Sequence, residues 1–478
     1  MRWTIDQILE ATSGRLISGP PDPTYMGVGI DSRSIRDDAL FVAIRGEKHD
    51  GHAFIDQVVR SGVKGLVIAE DALAGLDPGQ WSTRGVAAIA VADTTRALGA
   101  LAAFQRNRAS IPVVAITGSN GKTTTRRMTA LVMGRRFNTL ATQGNFNNEI
   151  GLPLTLFNLE PDHQVAVLEL GMNHPGEMSR LGAICRPTIG IITTVGPGHL
   201  EFLGSLEGVA QAKGELIARI DPEGIVVLNR DDPLVTALAG GCGRQVVFFG
   251  TTPDAQVQAR NIREEAQGIA FDLLLPSSQT VAVQLRTPGR FMVTNALAAA
   301  AAGFLVGVPA LEIKTGLESF LPDKGRLHIV PTSAGVNLID DTYNANPASM
   351  AAAFDTLEAL RKEQPGFIVM GDMLELGDQA EVLHHSTGRL AAASGAARLY
   401  VHGRYADAVR QGALVAGMAA TDIFTGAKAD IVADLTARLA PGHWVLVKGS
   451  RGMAMETVVK QICQWADRQM DQNKPVMG

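Results

Sequence analysis

A run of apolar residues, Ile111-Pro112-Val113-Val114-Ala115-Ile116-Thr117, passes directly into Gly118-Ser119-Asn120-Gly121-Lys122-Thr123-Thr124, and this junction constrains the chain more than any other feature. A continuous apolar stretch of that length predicts a strand buried on both faces, as in a parallel sheet. The glycines let backbone N–H groups turn inward around an anion. The helical pattern that follows, marked by Met128, Leu131 and Val132, adds the partial positive charge of a helix N-terminus. Lys122 can reach terminal phosphates, and the Thr123 hydroxyl can ligate Mg²⁺. Strand, loop, Gly-Lys-Thr and helix in this order predict an ATP phosphate site built from Gly118, Ser119, Asn120, Gly121, Lys122, Thr123 and Thr124. One departure stands out: Ile116 lies five residues before Gly121, where the general phosphate loop has glycine.

The rest of the chain extends this style. Apolar runs such as 164–170, 189–194 and 224–229 alternate with amphipathic segments, which predicts a doubly wound α/β sheet. A third region repeats the pattern at 337–341, 367–372, 399–403 and 444–449, each run ending in a polar or glycine loop of the kind that holds ligands. With 478 residues, about three domains are expected. Their predicted extents are 1–108 for a small N-terminal α/β domain, 109–321 for the central one and 322–478 for a Rossmann-like α/β third. The stretch from Ala296 to Leu311, alanine-rich and broken by Gly303, Gly307 and Pro309, reads as a buried helix starting near Thr294, not a membrane span.

Several polar residues sit at the ends of these runs. Glu169 closes an apolar strand expected beside the phosphate-loop strand, where a carboxylate can bind Mg²⁺. His199 follows a strand and a glycine turn, and alone it reads as a hydrogen-bonded loop residue. Lys213 lies on a helical pattern, where an isolated lysine normally faces solvent. The segment 142–151, with Thr142, Asn145 and Asn148, reads equally as a polar ligand loop or as a run of Asx turns. The same holds for 340–347, with Asp341, Tyr343, Asn344 and Asn346, which could face the nucleotide from the third domain.

Together these motifs resemble the ATP-dependent Mur ligases of peptidoglycan synthesis, along nearly the whole chain. The resemblance rests on Asp31-Ser32-Arg33, Leu40 to Gly46 and Asp50-Gly51-His52 in an N-terminal domain that binds a UDP-sugar, and on the Thr-Gly-Ser-Asn-Gly-Lys-Thr loop. That loop lacks the first glycine in this family too. The segments 144–153 and 341–347 are similar to those of the member that adds D-alanyl-D-alanine. The resemblance implies that Glu169 and His199 hold Mg²⁺. It also implies that Lys213 is carbamylated, giving an extra carboxylate for a second ion. By the same comparison Asn295 lies on the adenine side, and Arg326 reaches toward the γ-phosphate from the third domain, with Asp341 near the nucleotide. Lys448-Gly449-Ser450-Arg451 is similar to a loop near the incoming amino substrate. The implied reaction joins a UDP-N-acetylmuramoyl-tripeptide to D-alanyl-D-alanine through an acyl phosphate, with closure of the third domain over the central one.

Composition removes other classes. A net charge of -5, from 43 Lys+Arg against 48 Asp+Glu, provides no basic field for nucleic acid. Three scattered cysteines exclude a disulfide framework and fit a reducing, cytoplasmic setting. Neither a signal peptide nor a hydrophobic seam is visible, so a cytoplasmic monomer acting on small molecules is expected. A phosphate-loop kinase or ATPase is the rival from another class. Such proteins usually place Asp where Glu169 stands. A non-catalytic nucleotide-binding module would not need a complete magnesium set.

Overall fold

A computed structural model describes residues 2–20, 22–46, 49–265 and 268–472. The chain folds as three α/β domains in sequence order. The N-terminal sheet runs Arg15–Ser18, Ala87–Val91, Gly65–Ala69, Leu40–Val42, Val28–Gly29, with only the first strand antiparallel to its neighbour. A short ribbon pairs Trp3–Thr4 with Thr24–Tyr25.

The helix Thr94–Asn107, capped by the Asp93 side chain, joins this domain to the next. Its Ala97, Leu98 and Leu101 belong to the N-terminal core, while Ala102 packs in the central one. Near its end the buried Arg106 donates to the carbonyls of Cys185 at 2.9 Å, Ala109 at 2.6 Å and Ile111 at 3.2 Å. The first bond satisfies a carbonyl that the end of helix Glu177–Cys185 leaves without a helical partner, and the other two tie down the loop that leads into Val113–Thr117.

The central sheet has nine strands. Val113–Thr117 lies between Val165–Glu169 and Ile189–Ile192, all parallel and all buried. Because the chain leaves this strand toward neighbours on both sides, a crevice opens at its carboxyl end. The far edge is antiparallel, Gly268–Leu275 pairing with Val257–Glu265 and with Gln279–Leu285.

Helix Phe291–Val306 starts three residues ahead of the expected Thr294. It is apolar all round, as a helix wrapped on every side must be; Ala296 to Ala302 are 0% exposed. Gly303 does not break it. A Cβ there would lie 2.5 Å from Cγ1 of Val132, so the glycine lets this helix press on the phosphate-loop helix Lys122–Met133. The break comes at Gly307, with φ +90.

The third sheet runs His328–Pro331, Asn337–Asp341, Trp444–Lys448, Gly366–Gly371, Arg398–His402, Ile423–Thr425, parallel apart from the first strand. The carboxyl ends Asp341 and Lys448 face the phosphate loop across a cleft of about 540 Å³.

Candidate active site

The loop after Val113–Thr117 turns at Gly121, which has φ +82 and stands where a Cβ would meet Asn295 Oδ1 at 2.2 Å. Only glycine fits both demands. Asn295 is thereby packed against the loop, its Oδ1 accepting from the Thr125 hydroxyl at 3.2 Å. The loop is pinned to the next strand's end by Ser119 N–H to Thr194 O at 2.8 Å and Asn120 N–H to Thr194 Oγ1 at 3.0 Å. Lys122 folds back over it and donates to Gly118 O at 2.8 Å. Burial lowers the proton affinity of this ammonium, and Arg326 adds to the effect. An arriving phosphate would be a better partner than a carbonyl.

Glu169 sits beside Ile116 in register, at the strand tip that the sequence predicts. It is 2% exposed. Its N–H donates to the buried Thr142 hydroxyl at 3.0 Å, and its Oε1 accepts from Thr123 Oγ1 at 3.1 Å and Asn147 Nδ2 at 2.9 Å. The other oxygen, Oε2, is buried without a hydrogen bond and has only Arg126 Nε at 3.7 Å. A carboxylate oxygen left open beside a threonine hydroxyl suits Mg²⁺, a hard ion that keeps waters and takes phosphate oxygens. Among the described residues no three His, Cys, Asp or Glu side chains converge. The donor set therefore fits an ion carried in with nucleotide phosphates, not one caged by protein alone.

Lys213 overturns the expectation of a solvent-facing side chain: it is 2% exposed, on the helix Leu206–Gly214. No hydrogen bond or ion pair among the described residues engages its nitrogen. Burial, and then the Lys122 charge, push its pKa well below the usual lysine value. His199 lines the cleft with φ +58, and its Nδ1 stands 2.7 Å from Oε2 of Glu375. That contact holds the Glu375 carboxyl below the ordinary range.

The third domain supplies the opposite wall. Arg326 donates through Nη2 to Thr123 Oγ1 at 3.0 Å, and its guanidinium lies 3.9 Å from the Tyr343 ring centre. Asp340 and Asp341 hold the loop that presents it, accepting from Gly325 N–H at 3.0 Å and Leu327 N–H at 3.1 Å. Asp341 also pairs with the buried Lys448 at 2.6 Å. Asn346, which caps helix Pro347–Arg361, donates to Asn120 Oδ1 at 2.7 Å. Asn344 offers its carbonyl to Lys448 at 2.9 Å. The phosphate loop, Glu169, His199, Asn295, Arg326, Asp341 and the 343–346 segment thus share one cleft.

Of the remaining expected residues, Asn148 alone borders this cleft. Asp31 and Arg33 pair with each other on the N-terminal surface at 2.7 Å, with Ser32 between them. Asn145 is exposed; Asn148 lines the cleft, and its Oδ1 also accepts from Ile150 N–H at 3.2 Å and Gly151 N–H at 2.8 Å, an Asx turn within a loop that borders the site. At the end of that loop Ile150 packs on the N-terminal core. Sequence reasoning assigned no individual role to Asn147, Arg126, Asp340 or Glu375. Asn147 and Asp340 lay inside segments already singled out, 142–151 and 340–347; nothing in spacing marked Arg126 or Glu375.

Comparison with known proteins accords with this geometry. Three family models match: the Mur ligase family catalytic domain over residues 24–106, the Mur ligase middle domain over 116–303, and the Mur ligase glutamate ligase domain over 325–451. The chain belongs to the Mur ligase family. Among similar Mur ligases is the Escherichia coli UDP-N-acetylmuramoyl-tripeptide–D-alanyl-D-alanine ligase, 36% identical over 465 residues that span 96% of this chain and 98% of that protein. A crystal structure of MurF from Acinetobacter baumannii superposes with a TM-score of 0.87 at 33% identity, covering 97% and 99% of the two chains. The Thermotoga maritima MurF ligase, solved in complex with ADP, gives 0.81 at 26% identity, covering 93% and 98%.

Proposed function

We propose that this protein is an ATP-dependent ligase that joins D-alanyl-D-alanine to UDP-N-acetylmuramoyl-tripeptide, yielding the pentapeptide precursor of peptidoglycan, ADP and phosphate. The observation that carries the reading is the two-domain cleft, where a phosphate loop faces an arginine from the third domain in a chain matched end to end by ligases of this activity. In this reading the N-terminal domain, with Asp31, Ser32 and Arg33, binds the UDP-sugar. The 142–151 loop leads the peptide to the phosphates, and the third domain brings the amine.

A carboxylate is a poor electrophile, so its oxygen first attacks the γ-phosphorus and ADP leaves. The amine then attacks the acyl phosphate, a tetrahedral intermediate forms, and phosphate departs while the amine loses a proton. Two anions must meet in the first step. Lys122 and Arg326 supply fixed positive charge where they do, and the docked third domain keeps water from the acyl phosphate. Bound Mg²⁺, held by Thr123, Glu169 and His199, supplies further charge neutralisation. Lys213 is the fourth candidate ligand, for a second ion. In its neutral form the amine can add CO₂ to give a carbamate with release of one proton, and burial beside the Lys122 charge favours that neutral form. We also infer a cytoplasmic monomer, in keeping with the lack of any helix long and apolar enough to cross a membrane among the described residues.

Phosphate release tests the reading. With ATP, Mg²⁺ and UDP-N-acetylmuramoyl-tripeptide, release should depend on D-alanyl-D-alanine and match a mass gain in the product. Release with glutamate or diaminopimelate instead would assign a different ligase, and amine-independent release an ATPase or kinase. Lys213 gives a second test. A buried lysine whose folded pKa is depressed opposes folding most below that pKa, and the cost fades as pH rises toward the unfolded value of about 10.4. Lys213→Met in CO₂-depleted buffer should therefore melt about 2–4 °C higher near neutral pH for each kcal/mol recovered. The gain should shrink at alkaline pH, while phosphate release is lost.

A further inference from the structure

The stretch 373–379 of the third domain lies against the short helix Leu200–Leu203 of the central one. Three features mark the junction. His199 Nδ1 and Glu375 Oε2 stand 2.7 Å apart, and Glu201 N–H points to the Glu375 carbonyl at 3.4 Å. Gly377, at φ +58, passes so near that a Cβ would lie 3.1 Å from the Glu201 Cα. Both members of the ion pair hold left-handed backbone, His199 at φ 58 and Glu375 at φ 63. Residues with a Cβ keep that conformation only where their surroundings compensate, and such positions gather at functional sites. Nδ1 is buried and completes no hydrogen bond in this arrangement, with the Glu375 carboxylate in ion-pair reach. No other ion pair among the described residues engages Nδ1.

A histidine that takes a metal through one ring nitrogen commonly donates the other N–H to a carboxylate, which sets tautomer and ring angle. We propose that Glu375 is a positioning residue for His199, taking the Nδ1–H so that Nε2 stays unprotonated on the cleft side. Because Glu375 belongs to the third domain, the histidine is set for metal only when that domain is docked. This rests on the reading of His199 as a Mg²⁺ ligand. It adds that the ligand is completed by a residue from another domain, so cation binding and domain docking reinforce each other. Loss of either partner would weaken both.

The test uses the full chain, ADP and Mn²⁺, with free Mn²⁺ read by electron paramagnetic resonance and no turnover required. Glu375→Ala should weaken Mn²⁺ binding about 10–100-fold, while Glu375→Gln, whose amide oxygen can still accept from Nδ1, should recover much of it. Spectra of ¹⁵N-histidine-labelled protein should show His199 protonated at Nδ1 in the parent and in Glu375→Gln, and a tautomer mixture in Glu375→Ala. A structural role alone would move neither the tautomer nor the rescue by glutamine. His199→Ala separates the two ideas. If it leaves Mn²⁺ affinity intact, the ligand reading of His199 fails. If it weakens binding and Glu375→Ala does not, Glu375 is no positioning residue. Parent-like ¹⁵N spectra in Glu375→Ala would overturn the proposal as well.

Discussion

Lys122→Met should lower kcat for D-alanyl-D-alanine-dependent phosphate release by roughly 10²–10³-fold, the effect of removing one preorganised charge from a developing anion. Methionine keeps the length and the apolar stem, so the loop's backbone need not move. The Gly121 turn and the bonds from Ser119 and Asn120 to Thr194 involve no Lys122 side-chain atom. What disappears is the ammonium that now rests on the Gly118 carbonyl. A phosphate oxygen is a stronger partner for an ammonium than a neutral carbonyl, so the side chain gains by leaving Gly118 for the nucleotide. The effect should fall on kcat and on ATP, with KM for D-alanyl-D-alanine close to the parent value, because that substrate enters from the third domain. The melting temperature should hold or rise, as the variant also removes a charge that Lys213 feels. A kcat within tenfold of the parent would show that Lys122 does not bear on the reacting phosphate.

The phosphate loop was legible because its parts are contiguous. An apolar strand, two glycines, Lys122 and Thr123 are written side by side, and the local backbone fixes their relation. Glu169 was legible one step further out, since parallel strands end on the same side of a sheet and an acid closing so apolar a run must lie near that loop. From spacing alone Lys213 read as solvent-facing, because helical spacing gives the face of a side chain only if the neighbouring element is known. Here the face that looked free is covered. The antiparallel edge formed by 257–285 was not anticipated either. Its register shift between Arg260 and Arg263 interrupts the alternation that would have announced it. Arg126 and Glu375 act through contacts between residues far apart in sequence, and the Glu375 contact also crosses from the third domain to the central one. Arg126 reaches a residue 43 positions away and Glu375 one 176 positions away, and no short-range rule connects them. The resemblance to Mur ligases carried Arg326 and Asn295 into view before any contact could.

Arg326→Ala should cost kcat as much as Lys122→Met, about 10²–10³-fold, but leave ADP affinity nearly unchanged, since the central domain supplies the loop that grips the phosphates. The sharper expectation concerns lysine. Arg326 Cζ sits over the Tyr343 ring, 3.9 Å from its centre, and the guanidinium reaches from there to the Thr123 hydroxyl. A planar, stacked guanidinium holds its fork in one direction, whereas an ammonium on a flexible stem neither stacks as a plane nor donates as a fork. Arg326→Lys should therefore recover only a small part of the loss although charge is restored. Tyr343→Phe keeps the ring and should stay near the parent, while Tyr343→Ala should lower kcat with the arginine still present. Arg451 also faces that ring, at 6.0 Å, so Tyr343→Ala frees two cations and its loss should exceed that of Arg451→Ala. Steady-state kinetics with ADP titrations on these five variants separate the possibilities. Full activity in Arg326→Lys would mean that charge alone suffices and the stack is incidental. A rise in KM for ATP with kcat intact would make Arg326 a ground-state binder, and the positive charge that the third domain brings to the reacting phosphate would have to come from elsewhere.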